Sequence, residues 1–109
     1  KIHLVKLCLE KNIPIISSMG MGNKLDPTKI EIADISETNT CPLAKVMRKE
    51  LRDRKIDHLT VIFSTEHPLE VKEKISNGHR ILPGSISFMS SCGGLIMASQ
   101  VIKDLLDIK

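Results

Sequence analysis

The chain has no tryptophan and no tyrosine, and only two phenylalanines. Proteins that hold single-stranded nucleic acid by stacking need aromatic platforms, so this composition argues against that class. There is no CxxC pair, which argues against a structural zinc held by paired cysteines. Neither GxxxxGK[ST] nor a strand–GxGxxG–helix pattern occurs, so the sequence holds no phosphate loop of those kinds. No apolar run approaches the roughly 20 residues of a membrane span. Charge of one sign is also lacking: 16 basic against 13 acidic residues leave a net +3. That permits a polyanionic partner without demanding one. The three cysteines, Cys8, Cys41 and Cys92, are far apart and odd in number. They give no disulfide framework and suit a reducing cytosol. The histidines, including His58, His67 and His79, make no ligand spacing with Cys41, so no metal site is read.

What is present is the material of one α/β domain. The stretch from Leu82 to Leu106 is the most apolar. Pro83 and Gly84 punctuate its start, and Ser85–Met89 alternates as a strand would, with Ile86 and Phe88 on one face. Ser90, Ser91, Gly93 and Gly94 then predict a tight turn. Beyond it, Leu95, Ile96, Ala98, Val101, Ile102, Leu105 and Leu106 predict a helix with a wide apolar face, expected to be core.

Lys1–Asn12 reads as a helix with Leu4, Val5, Cys8 and Leu9 on its inner face. Asn12 is its stop signal, because Asn tolerates the left-handed cap conformation. It has no initiator Met and opens inside a helical pattern, so the chain is expected to be the later part of a longer one. Ile13–Ser18 reads as a strand covered on both faces. It runs into Met19–Pro27, where Gly20 and Gly22 allow close backbone approach. A strand ending in a glycine-containing loop is where open α/β sheets place ligands; a plain connection is the alternative.

Lys29–Ile35 alternates, with Ile30 and Ile32 on one side, and predicts a half-buried antiparallel strand. Cys41-Pro42 opens a helix, with Leu43, Val46, Met47 and Leu51 predicted to face inward. Its other side carries Lys45, Arg48, Lys49 and Arg52, a surface for phosphate contacts or a solvated face. Leu59–Ser64 reads as a strand. Thr65–Leu82 is a polar link in which Lys72–Lys74 could form one helical turn. Cys41, at a helix start, is a possible nucleophile, since such a position lowers a thiol pKa; a plain cap is the alternative. Cys92 is a weaker candidate of the same kind.

Four segments in order, KNIPIISSMGMGNKLDPTKIEIADI, CPLAKVMRKELRDRKI, LTVIFSTEHP and PGSISFMSSCGGLIMASQVIKDLL, together resemble the C-terminal half of E1-like activating enzymes. Within that superfamily they resemble the tRNA-acting branch, the threonylcarbamoyladenosine dehydratases. The absence of CxxC pairs favours this branch over the zinc-holding sulfur-carrier activators. The resemblance implies an α/β fold: the C-terminal part of an E1-like Rossmann-type fold, a mixed sheet with helices packed on it. It implies a cytosolic homodimer that uses ATP and Mg²⁺, without zinc, to adenylate the carboxylate of a threonylcarbamoyl group on tRNA. It places the nucleotide loop, the ATP-contacting Arg and Lys, and the Mg²⁺-binding Asp upstream of Lys1. In this chain it marks Ser18, Met19, Gly20, Gly22 and Asn23 as the loop beside the adenylation pocket. Two other readings stay open: activation of a ubiquitin-like sulfur-carrier protein, and a non-catalytic dimerisation module.

Overall fold

A computed structural model describes residues 1–67 and 86–107. The proposed helical turn at Lys72–Lys74 and the punctuation at Pro83 and Gly84 lie outside the described residues. The elements are α1 (Ile2–Glu10), β1 (Ile16–Ser18), β2 (Ile30–Asp34), α2 (Pro42–Asp53), β3 (Thr60–Ser64) and α3 (Ser87–Leu105). Short 3-10 turns, Pro27–Lys29 and Ile35–Glu37, bracket β2.

The sheet has the order β1-β3-β2. β1 runs parallel to β3, with Ile16 opposite Thr60. β2 runs antiparallel, with Ile32 opposite Ile62. This is the mixed sheet that the sequence predicts. β3 sits between the others and is covered on both faces, so its apolar run needs no polar side. Val61 and Phe63 pack in a cluster with Ala44, Met47 and Leu51 of α2 and with Val5 of α1. Ile62 points the other way, to Ile30 and Met89. Helices therefore lie on both faces of the sheet.

α1 and α2 end by the same device. Asn12 and Lys55 take φ of 55° and 62°. The N–H of Ile13 donates to the Cys8 carbonyl, and that of Ile56 to the Leu51 carbonyl. These are the six-to-one bonds of a Schellman cap. Asn12 acts as expected, and the lysine at the equivalent position of α2 has no turn-forming composition to announce it.

The inner faces of the helices differ from expectation. In α1 only Val5 is buried, while Leu4, Leu7 and Leu9 are exposed. In α2 the buried residues are Ala44, Met47 and Leu51. Leu43 and Val46 are exposed, because the face is centred on small Ala44, which lets the helix approach the sheet.

The largest correction concerns 86–106. Ser87–Leu105 is one helix, so Ser87–Met89 is not strand and Ser90–Gly94 is not a turn. Its inner side is Met89, Cys92, Gly93, Ile96 and Met97. That spacing of three and four is a helical stripe. Gly93 is buried because the helix passes Met21 there; a Cβ would lie 3.6 Å from the Met21 methyl. The residues expected as core, Leu95, Val101, Ile102, Leu105 and Leu106, are exposed on this chain.

Candidate functional site

β1 and β3 run parallel, and Ser18, the last residue of β1, stands opposite Ile62, two residues before β3 ends at Ser64. The Met19 N–H donates to the Ile62 carbonyl at 2.7 Å, extending the pairing one step beyond β1. The chain then leaves the sheet as the loop that precedes β2. Met19 is buried, and Ser18, Gly20, Met21, Gly22 and Asn23 are half-buried. A Cβ on Gly20 would lie 3.9 Å from Cys41 Sγ and from Leu43 Cβ, an ordinary contact, so crowding does not demand glycine there. Among the non-glycine residues of this loop, Asn23 takes a left-handed φ of 58°.

Three polar features fix the loop. Lys24 is buried, and its Nζ donates to the Ser64 carbonyl at 3.3 Å. The Glu66 carboxylate accepts from the backbone N–H of Leu25 and Asp26 at 2.9–3.0 Å. Asp26 accepts from the N–H and hydroxyl of Thr28, capping the 3-10 turn. The N–H donors of Asp26 and Leu25 hold the Glu66 carboxyl below its usual range. The Thr28 hydroxyl, then its N–H, does the same for Asp26. Neither Lys24 nor Glu66 was singled out from sequence. The usable signal was position: each lies just beyond the C-terminal end of a parallel strand.

Beside the loop is a hollow lined by Ser18, Met19, Met21, Ser90, Gly94 and Met97. The loop and the first half of α3 thus share a wall. Cys41 is the N-cap of α2 and is 4% exposed, with no side-chain cap bond. It faces Gly20 from within the core cluster. Cys92 is half-buried on the inner side of α3.

The basic residues of α2 do not form one group. Lys45, Lys49 and Arg52 are exposed, whereas Arg48 turns inward to the Thr38 carbonyl and hydroxyl. At the other end of the sheet, Asp34 pairs with His58 at 3.3 Å. Burial raises the Asp34 pKa, but the Ser36 N–H and hydroxyl, with His58, outweigh it and lower the value.

No family model matches the chain. A Bacillus subtilis protein named tRNA threonylcarbamoyladenosine dehydratase is 46% identical over 117 residues, covering 97% of this chain and 46% of that protein. The chain is a homologue of the tRNA threonylcarbamoyladenosine dehydratases. A Saccharomyces cerevisiae protein, tRNA threonylcarbamoyladenosine dehydratase 2, is 40% identical over 69% of this chain and 17% of its own length. The crystal structure of the Escherichia coli dehydratase with AMP has the same fold, with a TM-score of 0.81 at 24% identity. That match covers 97% of this chain and 44% of the other. The chain thus has the α/β fold of part of that dehydratase, a mixed sheet with helices on both faces. The chain spans about half the length of the Bacillus relative.

Proposed function

We propose that this chain is the C-terminal part of an ATP-dependent tRNA threonylcarbamoyladenosine dehydratase. The whole enzyme transfers the adenylyl group of ATP to the carboxylate of a threonylcarbamoyl group on a tRNA adenosine, releasing pyrophosphate, and attack on the activated carbonyl closes a ring with loss of AMP. The observation that carries this reading is the 46% identity to the Bacillus protein of that name across 97% of the chain. The physical need is plain. A carboxylate is a poor electrophile, and an acyl-phosphate link supplies a leaving group that a well-positioned nucleophile can displace.

The residues here supply part of such a site. β1 leads through the loop into a three-residue 3-10 turn, not into the N-terminus of an α-helix that could receive phosphates. They fit the wall of a nucleotide site and not its phosphate cradle, so no step is assigned to bound ATP here. Mg²⁺ would accompany the ATP phosphates. Among the described residues no group of three or more His, Cys, Asp or Glu gathers to hold an ion. Ser18, Met19, Gly20, Gly22 and Asn23 form the substrate-side loop in this reading. Lys45, Lys49 and Arg52 meet tRNA phosphates, in the cytoplasm where tRNA is modified. The exposed apolar sides of α1 and α3 pack against the remainder of the enzyme and a second copy of it.

The test is AMP release by the full-length protein with ATP and either bulk tRNA or a ubiquitin-like sulfur carrier. Release that depends on tRNA alone is expected. Release that depends on the carrier protein overturns the tRNA reading.

A further inference from the structure

The loop after β1 is tied to the end of β3 twice, by bonds of opposite sense. Lys24 reaches from the loop to the Ser64 carbonyl. Glu66 reaches back from β3 to the N–H groups of Leu25 and Asp26. The Ser64 carbonyl also accepts from the Thr40 hydroxyl at 3.4 Å, so the segment leading to Cys41 shares the anchor. The Ser64 hydroxyl accepts from the Glu66 N–H at 3.2 Å, which fixes the backbone from which Glu66 reaches. A buried ammonium is held to its acceptor by the cost of leaving it unpaired. A carboxylate gripping two adjacent backbone donors fixes their peptide planes, and charged acceptors make the stronger hydrogen bonds.

We infer that Lys24 and Glu66 are positioning residues, a two-point clamp that sets where Ser18–Asn23 stands against the end of β3. The inference rests on the adenylating reading proposed above. In that setting the clamp places the substrate carboxylate relative to the incoming nucleotide without touching the reacting atoms. Misplacement by about 1 Å can cost about 100-fold in rate, so a clamp outside the chemistry still governs it. The lowered Glu66 pKa agrees with this geometry, because the two donors favour the charged form.

The test uses full-length enzyme with ATP and tRNA. Lys24→Met keeps the buried stem and removes the donor; Glu66→Ala removes the acceptor. Each is expected to lower kcat for AMP formation by about 10- to 100-fold with KM for ATP unchanged. The double variant should fall little further than the weaker single, because both act through one loop. Leu51→Ala, in the core away from the loop, is the control: it lowers Tm and leaves kcat. Single variants that lower Tm but keep kcat, or losses that multiply in the double, overturn the positioning role. Amide exchange reports the clamp without activity. Faster exchange at Leu25 and Asp26 in Glu66→Ala is expected, and unchanged protection overturns the clamp. A wild-type enzyme without tRNA-dependent AMP formation overturns the functional reading, and exchange still reports whether the clamp exists.

Discussion

Arg48 Nη1 donates to the backbone carbonyl of Thr38 at 2.9 Å, and also to the Thr38 hydroxyl. Thr38 in turn donates to the Ile35 carbonyl at 2.7 Å. Arg48 thus joins α2 to the 3-10 turn after β2 and stands apart from its basic neighbours. The two roles separate by experiment. Lys45→Ala with Lys49→Ala should weaken tRNA binding and reduce the slope of log K against log salt by roughly 0.7–0.9 per lost phosphate contact. Arg48→Ala should instead destabilise the fold by about 1–3 kcal/mol. Filter binding across a salt series and thermal unfolding check the pair. An unchanged salt slope would return Lys45 and Lys49 to a solvated face.

Cys41 caps α2 from inside the core, 4% exposed. Cyclisation within one substrate needs no covalent carrier, so the reaction has no step for its thiol. Cys41→Ala is expected to retain AMP formation. Iodoacetamide should label the half-buried Cys8 and Cys92 before Cys41 in the folded protein. Loss of AMP formation in a folded Cys41→Ala variant would restore the nucleophile.

The Glu66 clamp carries a pH dependence of known sign. Its folded pKa is lowered by the Asp26 and Leu25 N–H groups. A carboxylate of this kind adds stability above its unfolded pKa, about 4.3. That contribution is lost as pH falls through the lower folded value. An NMR titration should place the Glu66 midpoint below that of free glutamate, with the Leu25 and Asp26 amide shifts following it. A midpoint at or above the ordinary value would contradict the hydrogen bonds described.

The 109-residue chain by itself should not bind Mg-ATP tightly, because β1 opens into a loop and a 3-10 turn and not into a helix N-terminus. Calorimetry is expected to show no micromolar site. A measured affinity near −8 kcal/mol would place a nucleotide site within these residues.

Much of the fold could be read where a strong local rule applied. Cys41-Pro42 opens α2 because proline suits a first helical turn. The apolar run of β3 is that of a strand buried on both faces. The start of α3 was misread because Ile86 and Phe88 give only two points of alternation. Ser-Ser-Cys-Gly-Gly has the composition of a turn, but its small residues serve a helix passing close to Met21. Taking Gly93 and Gly94 as a break shifted the expected inner face away from Met89, Cys92 and Met97; of the face expected, Ile96 alone is on the inner side. At the candidate site the loop was legible from its strand and glycines. The clamp was not, because Lys24 and Glu66 reach their backbone partners only through the parallel pairing of distant strands.

The central place of β3 makes it the one element on which both pairings of the sheet depend. Among the described residues, β1 and β2 pair only with β3. Both precede Thr60 in the sequence, so neither can find its ladder until β3 has been made and joins them. Adding Thr60–Ser64 completes the parallel and the antiparallel pairing together. Both pairings therefore hang on the same five residues, and any state in which β3 is displaced leaves β1 and β2 as two open edges for unwanted pairing.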